Sequence, residues 1–278
     1  MGYYDHKIGE ANAGGLKAFR DSPLEYIHYI QGAKKATRAM SEGRVFHLAL
    51  QEPEEFARTC RVMPEMPLRS KDDKTAFLAT CGVDGDPSQK ADDLRDHVSQ
   101  VWALTGVVSV SEQWLATMRA MCDSLNMPQH AEQRTLVVRG KKELELYWAD
   151  RETGIQCKAR VDSWDEETGI VSDLKRTESI GEWEFRRELR NRGYIYQGAW
   201  YMRALRESGY DPRTFAFCCA SPVAPHCWAS YECDPADLRI ADDRHQETLR
   251  RLRDCLEANS WQSRNDGETR IISLEGKF

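Results

Sequence analysis

Asp173-Leu174-Lys175 sets a carboxylate and an amine two residues apart, a spacing that turns both toward one face of a strand. They close the segment ARVDSWDEETGIVSDLK, residues 159–175, which has the alternation and the Gly-containing turn of a β-hairpin. Pairing Asp165 with Ile170 around that turn sets Asp162 opposite Asp173, with Cβ atoms roughly 5 Å apart. The tetrapeptide Glu-Thr-Gly-Ile occurs twice, at 152–155 and 167–170. The same pairing around its first copy sets Glu143 opposite Asp162. Like charges facing one another weaken a sheet, but they become favourable around a cation. Clustered carboxylate oxygens with room for water suit Mg²⁺ or Mn²⁺, and a nearby ammonium can hold an attacking water and steady developing charge. The chemistry this describes is metal-assisted hydrolysis of a phosphodiester. The competing reading is a half-exposed antiparallel sheet whose charged face simply meets solvent.

This register puts Glu143, Glu145, Lys158, Arg160, Asp162, Asp173 and Lys175 on one face. Leu144, Leu146, Trp148, Ala159, Val161 and Leu174 fall on the other, and a one-residue slip would mix the two sets. Around this sheet the chain reads as helices. Apolar spacing predicts helix through much of 15–59, restarted at Ser22-Pro23 and again near Pro53. Residues 61–90 read mainly as loop and 91–125 as helix. Period-two alternation begins at Thr135 and runs to about Thr177. A long helix is expected over 183–208, strands over 214–220 and 227–232, and an amphipathic helix over 235–258. The last twenty residues read as a tail with one short strand. No Gly/Ser-rich linker divides the chain.

At 278 residues, with 41% hydrophobic and 30% charged residues, the chain can bury a sizeable core and has an ordinary globular composition. No apolar run approaches the roughly 18 residues of a membrane span. MGYYDHKIGE has neither the layout of a signal peptide nor a myristoylation pattern, so a cytoplasmic, membrane-free location is expected. The nine cysteines are scattered, without a C-x-x-C pair, and reduced thiols are the default. The irregular spacing in CCASPVAPHCWASYEC favours buried thiols over a zinc site. A formal net charge of −6 argues against a wholly basic nucleic-acid binder but leaves room for a local basic groove.

Further motifs agree with the hairpin. SEGRVFHLALQEPEEF has Gly43 four residues before His47, followed by a Glu-Pro-Glu-Glu-Phe run. ELELYWADRETGIQCKARVD and IVSDLKRTESI hold the acids and the lysine, Gln197 and Tyr201 are four apart, and DCLEANSW closes the last helix. Taken in order from about residue 15 to 262, these resemble the exodeoxyribonuclease VIII-like (RecE-type) phage recombination exonucleases of the PD-(D/E)xK superfamily. The resemblance implies an α/β, restriction-endonuclease-like core: a central mixed sheet flanked by helices, with a helical N-terminal region. It implies a single nuclease domain over 1–278, with 1–134 mainly helical, the core at 135–262 and a tail at 263–278. It also implies a Mg²⁺-dependent exonuclease, with Mn²⁺ able to substitute, that resects double-stranded DNA ends 5′-to-3′. Resection would leave 3′ overhangs for a RecT-like single-strand annealing protein, and the enzyme would form a homo-oligomeric, tetrameric ring.

Residue by residue, the resemblance makes Asp162 and Asp173 Mg²⁺ ligands, with His47 and the Leu174 carbonyl as further ligands. Lys175 would activate the water, and Gln197 and Tyr201 would contact DNA. Glu143 matches a family acid near the metal or at a second one. Lys158 and Arg160 are either surface charges or a grip on a phosphate, and Arg186, Arg187, Arg190 and Arg192 form a basic cluster suited to a DNA-tracking surface. Two other readings are a relative with an iron–sulfur cluster, like the CRISPR-associated and helicase-linked nucleases, and a non-catalytic DNA-end-binding module. No cysteine precedes His47, which weighs against the first.

Overall fold

The computed structural model describes residues 7–32 and 38–263. The order is β1 (Glu10–Ala11), α1 (Ala13–Asp21), α2 (Pro23–Ile30), α3 (Arg38–Gln51), α4 (Pro53–Thr59), β2 (Cys60–Val62), α5 (Lys71–Cys81), α6 (Ala91–Leu104), β3 (Val108–Val110), α7 (Glu112–Leu125) and α8 (Ala131–Val138). Then come β4 (Lys141–Ala149), β5 (Gln156–Asp165), β6 (Ile170–Arg176), α9 (Glu182–Arg192), α10 (Tyr194–Glu207), β7 (Thr214–Ala220), β8 (Trp228–Glu232) and α11 (Pro235–Ala258). The expected tail strand falls outside the described residues.

Local chemistry explains the helix ends. Ser22 accepts from Glu25 N–H as the N-cap of α2, with Pro23 at its first position. Ser70 and Asp73 form a reciprocal capping box on α5. That helix occupies a stretch expected to be loop: its few apolar residues, Phe77, Leu78 and Cys81, give a weak periodicity, and the cap was the stronger signal. Three more expectations are corrected. The 91–125 helix is two helices, α6 and α7, with β3 between them. Residues 131–138 are helical, so the alternation starts only at β4. The 183–208 helix is two helices, because Gly193 at φ 69 caps α9 and starts α10 in a new direction.

One mixed six-stranded sheet runs β1-β5-β6-β7-β8, with β4 on the other edge of β5, and β2 and β3 form a separate parallel pair. On one face Leu16, Phe19 and Tyr26 of α1 and α2, Trp200 and Leu205 of α10 and Leu249 of α11 pack onto Val161, Trp164, Phe215 and Phe217. On the other, Val45 and Phe46 of α3, Met118 and Met121 of α7 and Val137 of α8 pack onto Leu174, Cys218 and Trp228. A third cluster joins α5 and α6 through Phe77, Leu94 and Trp102.

The strand register is as expected where the strands pair, Asp165 with Ile170 and Leu144 with Val161, but the expected Asp162–Asp173 and Glu143–Asp162 pairs are absent from the ladders. The faces also differ from expectation. Val161 and Trp164 both belong to the first core, and Leu174 belongs to the second, so strict alternation fails between Val161 and Trp164. Beside this break, on β4, Glu143 has φ 50, a left-handed conformation that side-chain-bearing residues seldom adopt. Lys142 and Ser163 pair on one side of this point and Leu144 and Val161 on the other. The Lys142 ammonium donates to Ser163 Oγ, which itself donates to Arg139 O at the end of α8.

Gly140 anchors the start of β4. It has φ 83, and a Cβ there would lie 2.5 Å from Trp164 O. Gly140→Ala is therefore expected to cost about 2 kcal/mol or more, read as a lower denaturant midpoint at an unchanged m-value.

Candidate metal-dependent active site

The site lies where β5 and β6 part. β4 lines one edge of β5, and β1 and β6 share the other, pairing at residues 156–157 and 163–165. The edge between them is left to α10, whose Trp200 indole donates to Lys158 O. Beyond Ser163↔Ser172 the ladder stops. There the Asp162 carboxylate takes over, with Oδ2 accepting from Leu174 N–H at 3.3 Å and Oδ1 from the Tyr201 hydroxyl at 3.2 Å. An extended residue sends its N–H and C=O to the same edge, so the Leu174 carbonyl opens toward this gap too.

α3 brings in His47. Its Nδ1 lies 3.4 Å from Asp162 Oδ2 and 4.0 Å from Glu143 Oε1, and it sits 3.2 Å from Gln51 Oε1 one turn on. His47, Glu143 and Asp162 each offer a ligand atom within 4.8 Å of the others. Asp173 lies one step deeper, fully buried, against Asp162 and in contact with the Lys175 ammonium. Lys175 donates to Gln197 Oε1 at 3.0 Å, Gln197 donates to the Tyr201 hydroxyl at 2.8 Å, and Tyr201 donates to Asp162. The Lys175 ammonium also rests 4.6 Å from the Tyr194 ring centre.

The electrostatics follow from burial. Desolvation, then Asp162, pushes the Asp173 carboxyl up to about 8 against the pull of Lys175. Desolvation, then Asp162, likewise raises Glu143 to about 8 against Arg160. Burial works to lower Lys175, but Asp173 and Asp162 outweigh it and its pKa ends raised. Asp173 is fully buried, with the Lys175 ammonium against Oδ2 and Asp162 beside it. A buried carboxylate held by an ammonium, next to two further acids and an imidazole, belongs to a donor set that fits a hard divalent cation.

The structure thus gathers His47, Glu143, Asp162, Asp173, Leu174, Lys175, Gln197 and Tyr201. Arg160 joins them differently from a phosphate contact: its Nε lies 2.6 Å from Glu143 Oε2 and its Nη2 3.2 Å from Glu52 Oε1. Lys158 stays out, its buried ammonium paired with Glu10 at 3.0 Å. Arg190 stays out as well, bordering a separate groove between α9 and α11. Sequence reasoning did not assign Glu52, Tyr194 or exposed Arg44 to the site. The available signal was spacing within an element: Arg44 is three residues before His47 on α3, Tyr194 three before Gln197 on α10, and Glu52 opens the Glu-Pro-Glu-Glu-Phe run. Glu52, Arg44 and the charged residues line a cleft of about 1050 Å³, together with Ser99, Ala103, Gly106 and Ser109.

Residues 13–270 match the profile of a family described as "PDDEXK-like domain of unknown function (DUF3799)". Among solved structures, the chain is similar to a protein from Eubacterium rectale named "Putative exonuclease". The TM-score is 0.56 at 12% identity, over 98% of this chain and 91% of that one. The likeness supports the fold. LHK-Exo in complex with dAMP aligns over 62% of this chain and 85% of that one, at 18% identity and a TM-score of 0.29. No curated protein matches the chain.

Proposed function

The chain belongs to this PDDEXK-like family, and on that premise we propose that it is a divalent-cation-dependent nuclease that degrades double-stranded DNA from its ends. The observation that carries the reading is the Asp162 carboxylate. One group faces His47, Leu174 N–H, Tyr201 and Asp173 at the bottom of an open cleft.

Asp162, Asp173, Glu143 and His47 would hold the cation, with the Leu174 carbonyl completing the set. Bound there, Mg²⁺ or Mn²⁺ supplies Lewis-acid stabilisation of the pentavalent phosphate and lowers the pKa of a water. Lys175 is anchored on Asp173 and Gln197, so its charge is held where negative charge builds up on the attacked phosphate. Gln197 and Tyr201 relay that orientation to Asp162. The ordered resemblance in motifs supports the finer reading: 5′-to-3′ resection, a ring-shaped homo-oligomer and a single-strand annealing partner.

The test is cleavage of linear and covalently closed circular duplex with Mg²⁺ or with EDTA. Loss of the linear substrate alone, abolished by EDTA, is the expected result, and labelling either end gives the polarity. Equal cleavage in EDTA sinks the metal-dependent reading. Binding of ends without cleavage in any divalent cation would favour a non-catalytic end-binding module. Among the described residues no helix is long and apolar enough to cross a membrane.

A further inference from the structure

Glycine is the poorest helix former after proline, so a glycine inside a helix calls for a reason. Gly14 and Gly198 have one in packing: a Cβ on Gly14 would meet Tyr29 Oη at 2.6 Å and one on Gly198 would meet the Phe215 ring at 2.9 Å. Gly15, in the first turn of α1, would meet Tyr26 only at an ordinary 3.4 Å. Gly43 differs. It lies within α3, and among the described residues nothing comes within 4 Å of the place its Cβ would take. Its φ does not call for glycine either, unlike that of Gly106 at 77. Packing among the described residues therefore offers no account of it.

Its position does. Gly43 is one turn before His47, on the same helix face, and it lines the active-site cleft beside exposed Arg44. The missing side chain leaves bare helix backbone next to the candidate cation ligands. Bare backbone is what a ligand needs for close approach. The same cleft is lined by Ser99 and Ala103 of α6, by Gly106 and Val107, and by Val108 and Ser109 of β3, all uncharged. A cleft that holds cation ligands, an arginine and neutral groups suits a sugar–phosphate chain and reads no bases.

We propose that the strand being cut runs with its sugar–phosphate backbone against the bare turn of α3 at Gly43, through the cleft that the uncharged residues of α6 and β3 also line. This rests on the nuclease reading and locates its substrate. Arg44 meets a phosphate of that strand, and Gly43 sets how closely the strand passes.

The test compares Gly43→Ala and Gly43→Leu with the unmodified protein, using thermal unfolding and binding of a fluorescein-labelled duplex end in Ca²⁺. Alanine removes the helix penalty, so the melting temperature should rise by roughly 2 °C or more. DNA affinity should fall, by roughly threefold for alanine and at least tenfold for leucine. A rise in stability with a loss of binding cannot come from a packing role. Unchanged affinity in both variants overturns the strand path, and so does a lower melting temperature for alanine. Binding is read without cleavage, so a protein that binds ends but cuts nothing fails the nuclease reading while the strand path is still judged. No binding by the unmodified protein overturns both.

Discussion

Asp162→Asn is expected to lower DNA cleavage by about 10³-fold or more, equivalent to about 4 kcal/mol of transition-state stabilisation, while leaving the fold intact. Asparagine keeps an oxygen to accept from Leu174 N–H, so the closure between β5 and β6 persists. What it loses is the charge that, with Glu143, His47 and Asp173, makes the site a cation trap. Removing one of several mutually repelling acids should leave metal-free stability unchanged or raised, as expected where function and stability conflict. Kinetics on labelled linear duplex give the rate, and urea unfolding in EDTA gives the stability. A variant that cleaves within tenfold of the unmodified protein would remove Asp162 from the reaction. One that loses activity only because it unfolds would make the residue structural.

The second large effect lies away from the cleft. His245 of α11 is fully buried, with Nε2 2.7 Å from Tyr196 O and Nδ1 3.4 Å from an Arg20 guanidinium nitrogen. The Trp200 ring lies 5.1 Å away. Burial drives the imidazole pKa down to about 3, with Arg20 and Arg203 adding to the fall and the Tyr196 carbonyl opposing it. In the folded state His245 is therefore a neutral donor to Tyr196 and acceptor from Arg20. The unfolded chain binds a proton near pH 6.5 that the folded protein refuses. Stability from this residue is present above about pH 6.5 and is lost as pH falls toward about 3, by about 1.4 kcal/mol per unit. Urea unfolding at pH 7.5, 6 and 5 should show this slope in the unmodified protein and a shallower one in His245→Gln, whose amide can still donate to Tyr196. Parallel slopes would show that the imidazole ionises freely in the fold.

The residue order by itself determined the hairpin register, because side chains alternate and Gly154 and Gly169 supply the positive φ their turns need. It also determined the pairing of acid and amine in Asp173-Leu174-Lys175, the spans of β7 and α11 and the order of motifs, since these rest on spacing within one element or across one turn. Only the tertiary structure decided what those residues meet. The face exchange on β5 falls beside Glu143, whose φ of 50 alternation cannot anticipate. The partners of Lys158 and Arg160 are Glu10 and Glu52, 148 and 108 residues away in the chain. Their pairing makes Lys158, read from the sequence as a surface charge or a phosphate grip, part of a buried ion pair, and makes Arg160, read the same way, a brace for Glu143. Local periodicity carries information over a few residues, whereas a buried charge takes its partner from whichever element packing brings within about 3 Å.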